Sequence, residues 1–277
     1  LESYDSLLFN CSDARNSVRY SGAGGASAVG KKCRFGWSIR RRRHADGFWQ
    51  SRSGLVPVKD DDYRRCGVHG YQHNKLFLQT PEKAFAEISR AKNIIEDIIG
   101  QPVPGFRAPA FSLVPETSWA FEMLAEIGFK YDSSVMPART GRYGWEGFEK
   151  QIVRISLPGD LTLIEAPLPV INLLSRNIPA CGGGYLRYFP MIFTHWAFSY
   201  LLKHQPVIVY LHPYELDTNR YPDYFYGARK KSSFRKALPL MFYRYNKNTV
   251  KPKLSSILRR YNFLPLNEVI ENLDKVN

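Results

Sequence analysis

The sequence predicts an α/β protein of parallel β/α units, and three observations carry that prediction. A capped amphipathic stretch runs from Thr80 to Gly100, short apolar segments end in polar side chains, and strand-like and helix-like patterns then alternate toward the C-terminus. In such units the functional side chains gather at the C-terminal ends of the strands.

The elements follow in order. Residues 1–66 are rich in Ser, Gly and Arg, include the run Arg40, Arg41, Arg42 and Arg43, and show no sustained periodicity, so they form an atypical N-terminal segment whose elements are unreadable. Residues 67–277 read as one domain. Thr80 as N-cap, Pro81 at the first helical position and Glu82 in the first turn open a helix. Phe85, Ile88, Ile95, Ile98 and Ile99 mark its apolar face as far as Gly100. Pro102 to Phe106 is a short extended segment delivering Arg107. Glu116 to Ile127 is a second helix, with Trp119, Met123, Leu124 and Ile127 on one face and Gly128 closing it.

Phe129 to Tyr131 reads as a strand, Leu161 to Ala166 as another, and Phe193 to Leu202 as a helix. Pro206 to Leu211 is a buried strand ending at His212, and the tail adds a helix from Leu254, a short strand around Phe263 and a last helix.

Bulk properties narrow the function classes. A composition of 44% hydrophobic and 14% aromatic residues over 277 positions supports a substantial core and excludes a mostly disordered chain. The net charge of +14 favours polyanionic partners. From Tyr224 to Asn267 no acidic residue occurs, while basic residues from Arg229 to Arg260 cluster there. The four cysteines, Cys11, Cys33, Cys66 and Cys181, are far apart and form no CxxC pair, which points to a reducing compartment. No stretch approaches the roughly 20 apolar residues of a membrane span, and no secretory signal is visible, so the expected location is cytoplasmic. The chain opens on Leu1 rather than methionine, and an upstream piece is expected to be missing.

Three segments carry chemistry. In His69-Gly70-Tyr71-Gln72-His73 two imidazoles four residues apart can converge on one borderline cation, although such a pair also occurs as ordinary polar or core histidines. In Phe106-Arg107-Ala108-Pro109-Ala110 a guanidinium at a strand end suits a carboxylate partner, and alone it reads as a surface turn. In Tyr210-Leu211-His212-Pro213 a histidine closes an apolar strand, placed for general acid work or for a structural hydrogen bond.

HGYQH, FRAPAFS, YDSSVMPAR with RYG, CGGGYLRYFP and YLHPYELD, in this order, resemble the polysaccharide deacetylases of the NodB-like superfamily. They look closest to the exosortase-associated branch of bacterial exopolysaccharide loci, over residues 67–277. The resemblance implies a distorted or incomplete (β/α) barrel. It implies that His69 and His73 bind a divalent metal, zinc foremost, that Arg107 orients a catalytic aspartate, and that His212 is the general acid. Asp132 falls where a carboxylate tunes the catalytic histidine, or is a turn residue bonding its own backbone. Gly183, Gly184 and Tyr185 resemble a loop near the sugar site, with Pro109 beside the substrate; unaided, Gly182 to Tyr185 reads as a flexible turn. The implied reaction removes N-acetyl groups from amino sugars of a polysaccharide or its lipid-linked precursor.

The sequence departs from that family in one respect. The first motif, an apolar strand ending in Thr-Phe-Asp and a further acidic residue, is absent ahead of His69. Asp60, Asp61 and Asp62 are the nearby acidic cluster, but they lie close to His69 and behind Pro57. A frame-shift or truncation upstream of Gly67 would account for this. Weak or absent activity is then expected, with Arg107 turning to solvent, finding another acceptor such as Asp132, or sitting in a site looser than in intact relatives. The runner-up is a non-catalytic relative binding acidic polysaccharide or a membrane surface through Arg229 to Arg260. A nucleic-acid partner is not expected, since no recognition module accompanies the charge.

Overall fold

The structure is a computed structural model and describes residues 48–51, 54–57, 66–141, 143–216 and 245–274. Arg40 to Arg43, Cys11, Cys33, Asp60 to Asp62 and the basic residues from Arg229 to Arg244 lie outside these residues. An antiparallel hairpin pairs β1 (Phe48–Ser51) with β2 (Gly54–Pro57). The central sheet has five strands. β3 (Gly67–Val68), β4 (Gly105–Phe106), β5 (Tyr131–Asp132) and β7 (Thr162–Glu165) are parallel and adjacent in that order, and β6 (Val153–Ser156) adds an antiparallel edge to β7. The fold is therefore mixed α/β around a parallel sheet, and among the described residues that sheet is open rather than closed into a barrel.

The helix after β3 is α1 (Pro81–Ile99). Thr80 Oγ1 accepts the Lys83 N–H as N-cap, Pro81 occupies the first turn, and Gly100 ends it at φ 69°. Its buried face is Ala84, Ile88 and Ala91; Phe85 and Ile98, expected on the apolar face, are exposed instead. The small alanines let α1 lie close to the sheet, and the larger Phe85 and Ile98 side chains are left outside. The second predicted helix starts later than Glu116. Pro115–Thr117 is a 3₁₀ turn, and α2 (Ala120–Glu126) buries Phe121, Met123 and Leu124. Val68, Phe106, Ile88, Leu124 and Leu163 join these elements in one core.

Two parts of the C-terminal half differ from expectation. β8 (Val170–Leu173) and β9 (Arg176–Pro179) form a hairpin that sequence reading did not find. Pro206 to Leu211 does not form a strand; only Tyr210 pairs, through an isolated parallel bridge to Gly182. Phe263 likewise has no strand assignment. Each segment has the composition of a strand, but neither pairs with a run of backbone among the described residues. The rest is helical: α3 (Gly183–Tyr188), α4 (Met191–Leu201), α5 (Pro213–Leu216), α6 (Lys247–Arg260) and α7 (Leu266–Asp274). α6 begins upstream of the expected Leu254 and runs through Pro252. A second core joins α3, α4 and α6 through Leu186, Phe198, Leu201, Val250 and Ile257.

Candidate active site

The parallel register sets Val68 beside Phe106, Phe106 beside Asp132, and Asp132 beside Glu165. His69, Arg107, Asp132 and Glu165 therefore stand at or just beyond the C-terminal ends of four neighbouring strands, the rim where α/β proteins place their chemistry. The Arg107 N–H donates to the Val68 carbonyl at 2.9 Å and the Ser133 N–H to the Phe106 carbonyl at 3.1 Å, holding this rim in register.

His69 is buried, and its Nδ1 lies 2.6 Å from the Arg107 carbonyl oxygen. A carbonyl only accepts, so Nδ1 carries the proton and Nε2 keeps its lone pair. Burial, with His73 beside it, lowers the His69 pKa to about 3, so the ring stays neutral. The His73 ring centroid is 5.1 Å from that of His69. His73 is half-buried, its backbone is left-handed at φ 59°, and burial followed by the nearby His212 lowers its pKa. The electrostatic influence of His212 reaches both His69 and His73, so three imidazoles from distant parts of the chain share one region.

Two neutral imidazoles with a lone pair to offer suit a divalent ion, but a catalytic zinc centre uses three protein donors. Among the described residues no group of three or more His, Cys, Asp or Glu side chains is placed to hold a metal. His69 and His73 thus fit part of such a site.

Arg107 does not turn to solvent; it finds another acceptor, which is Ser133 rather than Asp132. Its buried guanidinium donates through Nε to the Ser133 carbonyl at 2.7 Å and through Nη2 to Ser133 Oγ at 2.8 Å, and Ser133 Oγ donates on to the Ala166 carbonyl at 2.7 Å. Burial lowers its pKa, and Asp132 and other nearby groups counter that. After Arg107 the chain turns through Ala110 and Phe111, both at positive φ, with Pro109 buried between. Phe111 packs edge-on against Tyr210 at 4.9 Å.

Asp132 is fully buried beside Glu165, a residue that sequence reading did not single out. Ser134 Oγ donates to Asp132 Oδ1 at 2.5 Å, and the Ser134 and Val135 N–H groups donate to Glu165 Oε1 at 3.2 and 2.9 Å. Burial raises the Asp132 pKa to about 6 despite hydrogen bonds from Glu165 and Ser134. Burial and the Asp132 charge raise that of Glu165 well above the usual carboxylate range. The pair therefore holds a proton near neutrality.

The carboxylate recorded against His212 belongs to Glu215. Its Oε2 accepts the His212 N–H at 3.0 Å and lies 3.6 Å from His212 Nδ1; its Oε1 is 4.0 Å from Arg187 Nε. Glu215 stands in the quoted segment YLHPYELD, and its spacing of three from His212 is the signal that could have marked it. Gly182 and Gly183 lie against Tyr210. A Cβ on Gly182 would meet the Tyr210 ring at 2.5 Å and its carbonyl oxygen at 2.6 Å, so this segment is a close packing contact followed by helix, not a flexible turn. Gly184 and Tyr185 continue into α3, half-buried.

Residues 133–271, just over half of the chain, match the family described as "Domain of unknown function (DUF3473)". The chain belongs to the DUF3473 family. Its preceding part, residues 55–131, matches the family described as Polysaccharide deacetylase, over a range that includes Asp60 to Asp62, His69, His73 and Arg107. No curated protein matches this DUF3473 chain. Among solved structures it is similar to one from Mycobacterium smegmatis named as a polysaccharide deacetylase, at 27% identity over 36% of this chain and 30% of that one, TM-score 0.28. It is also similar to one from Pseudomonas aeruginosa PAO1 so named, at 15% identity over 52% and 43%, TM-score 0.33. The chain thus spans less than half the length of either structure.

Proposed function

We propose that this protein is a hydrolase that removes N-acetyl groups from amino sugars of a polysaccharide, in the service of exopolysaccharide synthesis. The observation that supports the reading is the pairing of His69 and His73, ring centroids 5.1 Å apart just beyond β3, inside the stretch that matches polysaccharide deacetylases, with the electrostatic influence of His212 felt at both. His69 and His73 would hold a divalent ion, zinc foremost, as two of its ligands. Such an ion, when bound, supplies polarisation of the acetyl carbonyl and acidification of water.

The chain's own residues do the rest. His69 offers Nε2 because Arg107 fixes its other nitrogen. His212, held by Glu215, delivers a proton to the departing amine, without which an amide does not cleave. Arg107 shapes the rim through Ser133. Gly183, Gly184, Tyr185 and Pro109 would contact the sugar, either on the polymer or on a lipid-linked precursor. With two imidazoles and no identified catalytic aspartate, turnover is expected to be slow and zinc affinity lower than at a three-ligand site.

The test is metal analysis of the purified chain beside acetate release from N-acetylglucosamine oligomers. Zinc binding with acetate release supports the enzyme. Zinc without release favours a non-catalytic relative, and neither overturns the reading.

A further inference from the structure

α4, with the sequence MIFTHWAFSYL, is mostly apolar, Thr194, His195 and Ser199 being its polar side chains. Its inner face, Ala197, Phe198 and Leu201, is in the core. Its outer face is exposed: Ile192 is 81% exposed, Trp196 46% and Tyr200 43%, at i, i+4 and i+8 on one stripe. Trp196 and Tyr200 stack at 5.7 Å, and Leu202, at the end of the helix, is also exposed.

The sequence of α4 and of the helix bonded to it carries charge of one sign. No Asp or Glu occurs from Ala166 to Tyr214, nor from Tyr224 to Asn267. Lys203 is exposed at the end of α4. α6 is fastened to α4 by His195 to Ser256 and Ser199 to Tyr261, both at 2.9 Å, and it exposes Lys251, Arg259 and Arg260.

We propose that this face of α4, with the basic residues beside it, docks on an anionic lipid bilayer, in addition to the deacetylase reading. Trp and Tyr favour the headgroup region, and exposed Lys and Arg meet anionic lipid there. The most exposed member of the stripe, Ile192, is aliphatic. It gains from acyl chains and nothing from a hydrated polyanion, which separates a bilayer from an acidic polysaccharide.

The experiment is co-sedimentation of the full chain with vesicles of phosphatidylcholine alone and of phosphatidylcholine with phosphatidylglycerol. Binding to the anionic vesicles is expected, weakened by salt, with a blue-shifted tryptophan emission. Ile192→Glu should lower the binding by about tenfold or more, and Ile192→Ser by less, since each removes apolar insertion. Circular dichroism verifies that the variants fold, and loss of the blue shift in Trp196→Tyr provides a second readout. Three results would overturn the proposal: no binding to anionic vesicles, equal binding by folded Ile192→Glu, or light scattering in which Ile192→Glu abolishes self-association and vesicles bind no monomer. A soluble anionic polysaccharide whose binding depends equally on Ile192 would overturn it too.

Discussion

Glu215 Oε2 accepts the backbone N–H of His212 at 3.0 Å and stands 3.6 Å from the Nδ1 of the same residue. The second distance is long for a hydrogen bond and close for an ion pair, so the carboxylate favours a proton on Nδ1 and leaves Nε2 for the proton transfer. Glu215→Gln should retain the backbone contact and lose that charge. Acetate release should fall roughly tenfold to a hundredfold with KM little changed. ¹⁵N chemical shifts of His212 should show a reduced Nδ1-protonated population, a readout that needs no turnover. An unchanged tautomer would show that Glu215 does not position the ring.

The imidazoles should separate by phenotype. His69→Ala and His73→Ala should each lower zinc content of the purified protein by about tenfold or more, whereas His212→Ala should keep its zinc and lose only acetate release. Atomic absorption on the three variants checks this; parental zinc in His73→Ala contradicts the ligand role.

The Asp132 and Glu165 pair makes stability fall as pH rises. Asp132 has a folded pKa near 6, above its unfolded value of 3.8, so its contribution is full below about 3.8 and lost as pH rises through about 6. Glu165, raised further, extends the loss upward. Glu165→Gln keeps an oxygen for the Ser134 and Val135 N–H groups and removes one titrating carboxyl. Urea midpoints between pH 4 and 8 should show a flatter profile than the parent.

Arg107→Lys should destabilise the fold by about 3 kcal/mol, because an ammonium cannot reproduce the two-pronged contact with the Ser133 carbonyl and hydroxyl. Chemical denaturation measures it. A loss under about 0.5 kcal/mol, the range of ordinary surface changes, would mean that the guanidinium is not structural.

Local signals made α1 readable: Thr80, Pro81 and Gly100 act within one turn of where they stand, and all three hold their expected places. The strand end at Phe106 was legible for the same reason, whereas the strand expected over Phe129 to Tyr131 lies later, at Tyr131–Asp132. The β8 and β9 hairpin was not, because its turn places Leu174 and Ser175 at φ 49° and 61°, positions that Asn and Gly usually announce. Pro206 to Leu211 failed the other way: strand composition says nothing about whether a neighbouring backbone is there to pair with. At the candidate site, type and spacing marked His69, His73 and His212 only weakly, and the order of the motifs around them, through its family resemblance, singled them out. Glu165 meets Asp132 only through the register of strands more than thirty residues apart, a long-range fact that one sequence does not display.

His73 sits at φ 59°, immediately after a stretch in which Gly70 is also left-handed and Gln72 donates its N–H to Glu87. A residue there is chosen twice, once for its ring and once for a backbone shape that Asn and Gly accept and β-branched residues resist. Replacing His73 by Asn would keep the loop's path and remove the imidazole, whereas Val would distort the path as well. A library at position 73, sorted first for folding and then for zinc, would therefore leave a short alphabet after the first sieve and one letter after the second.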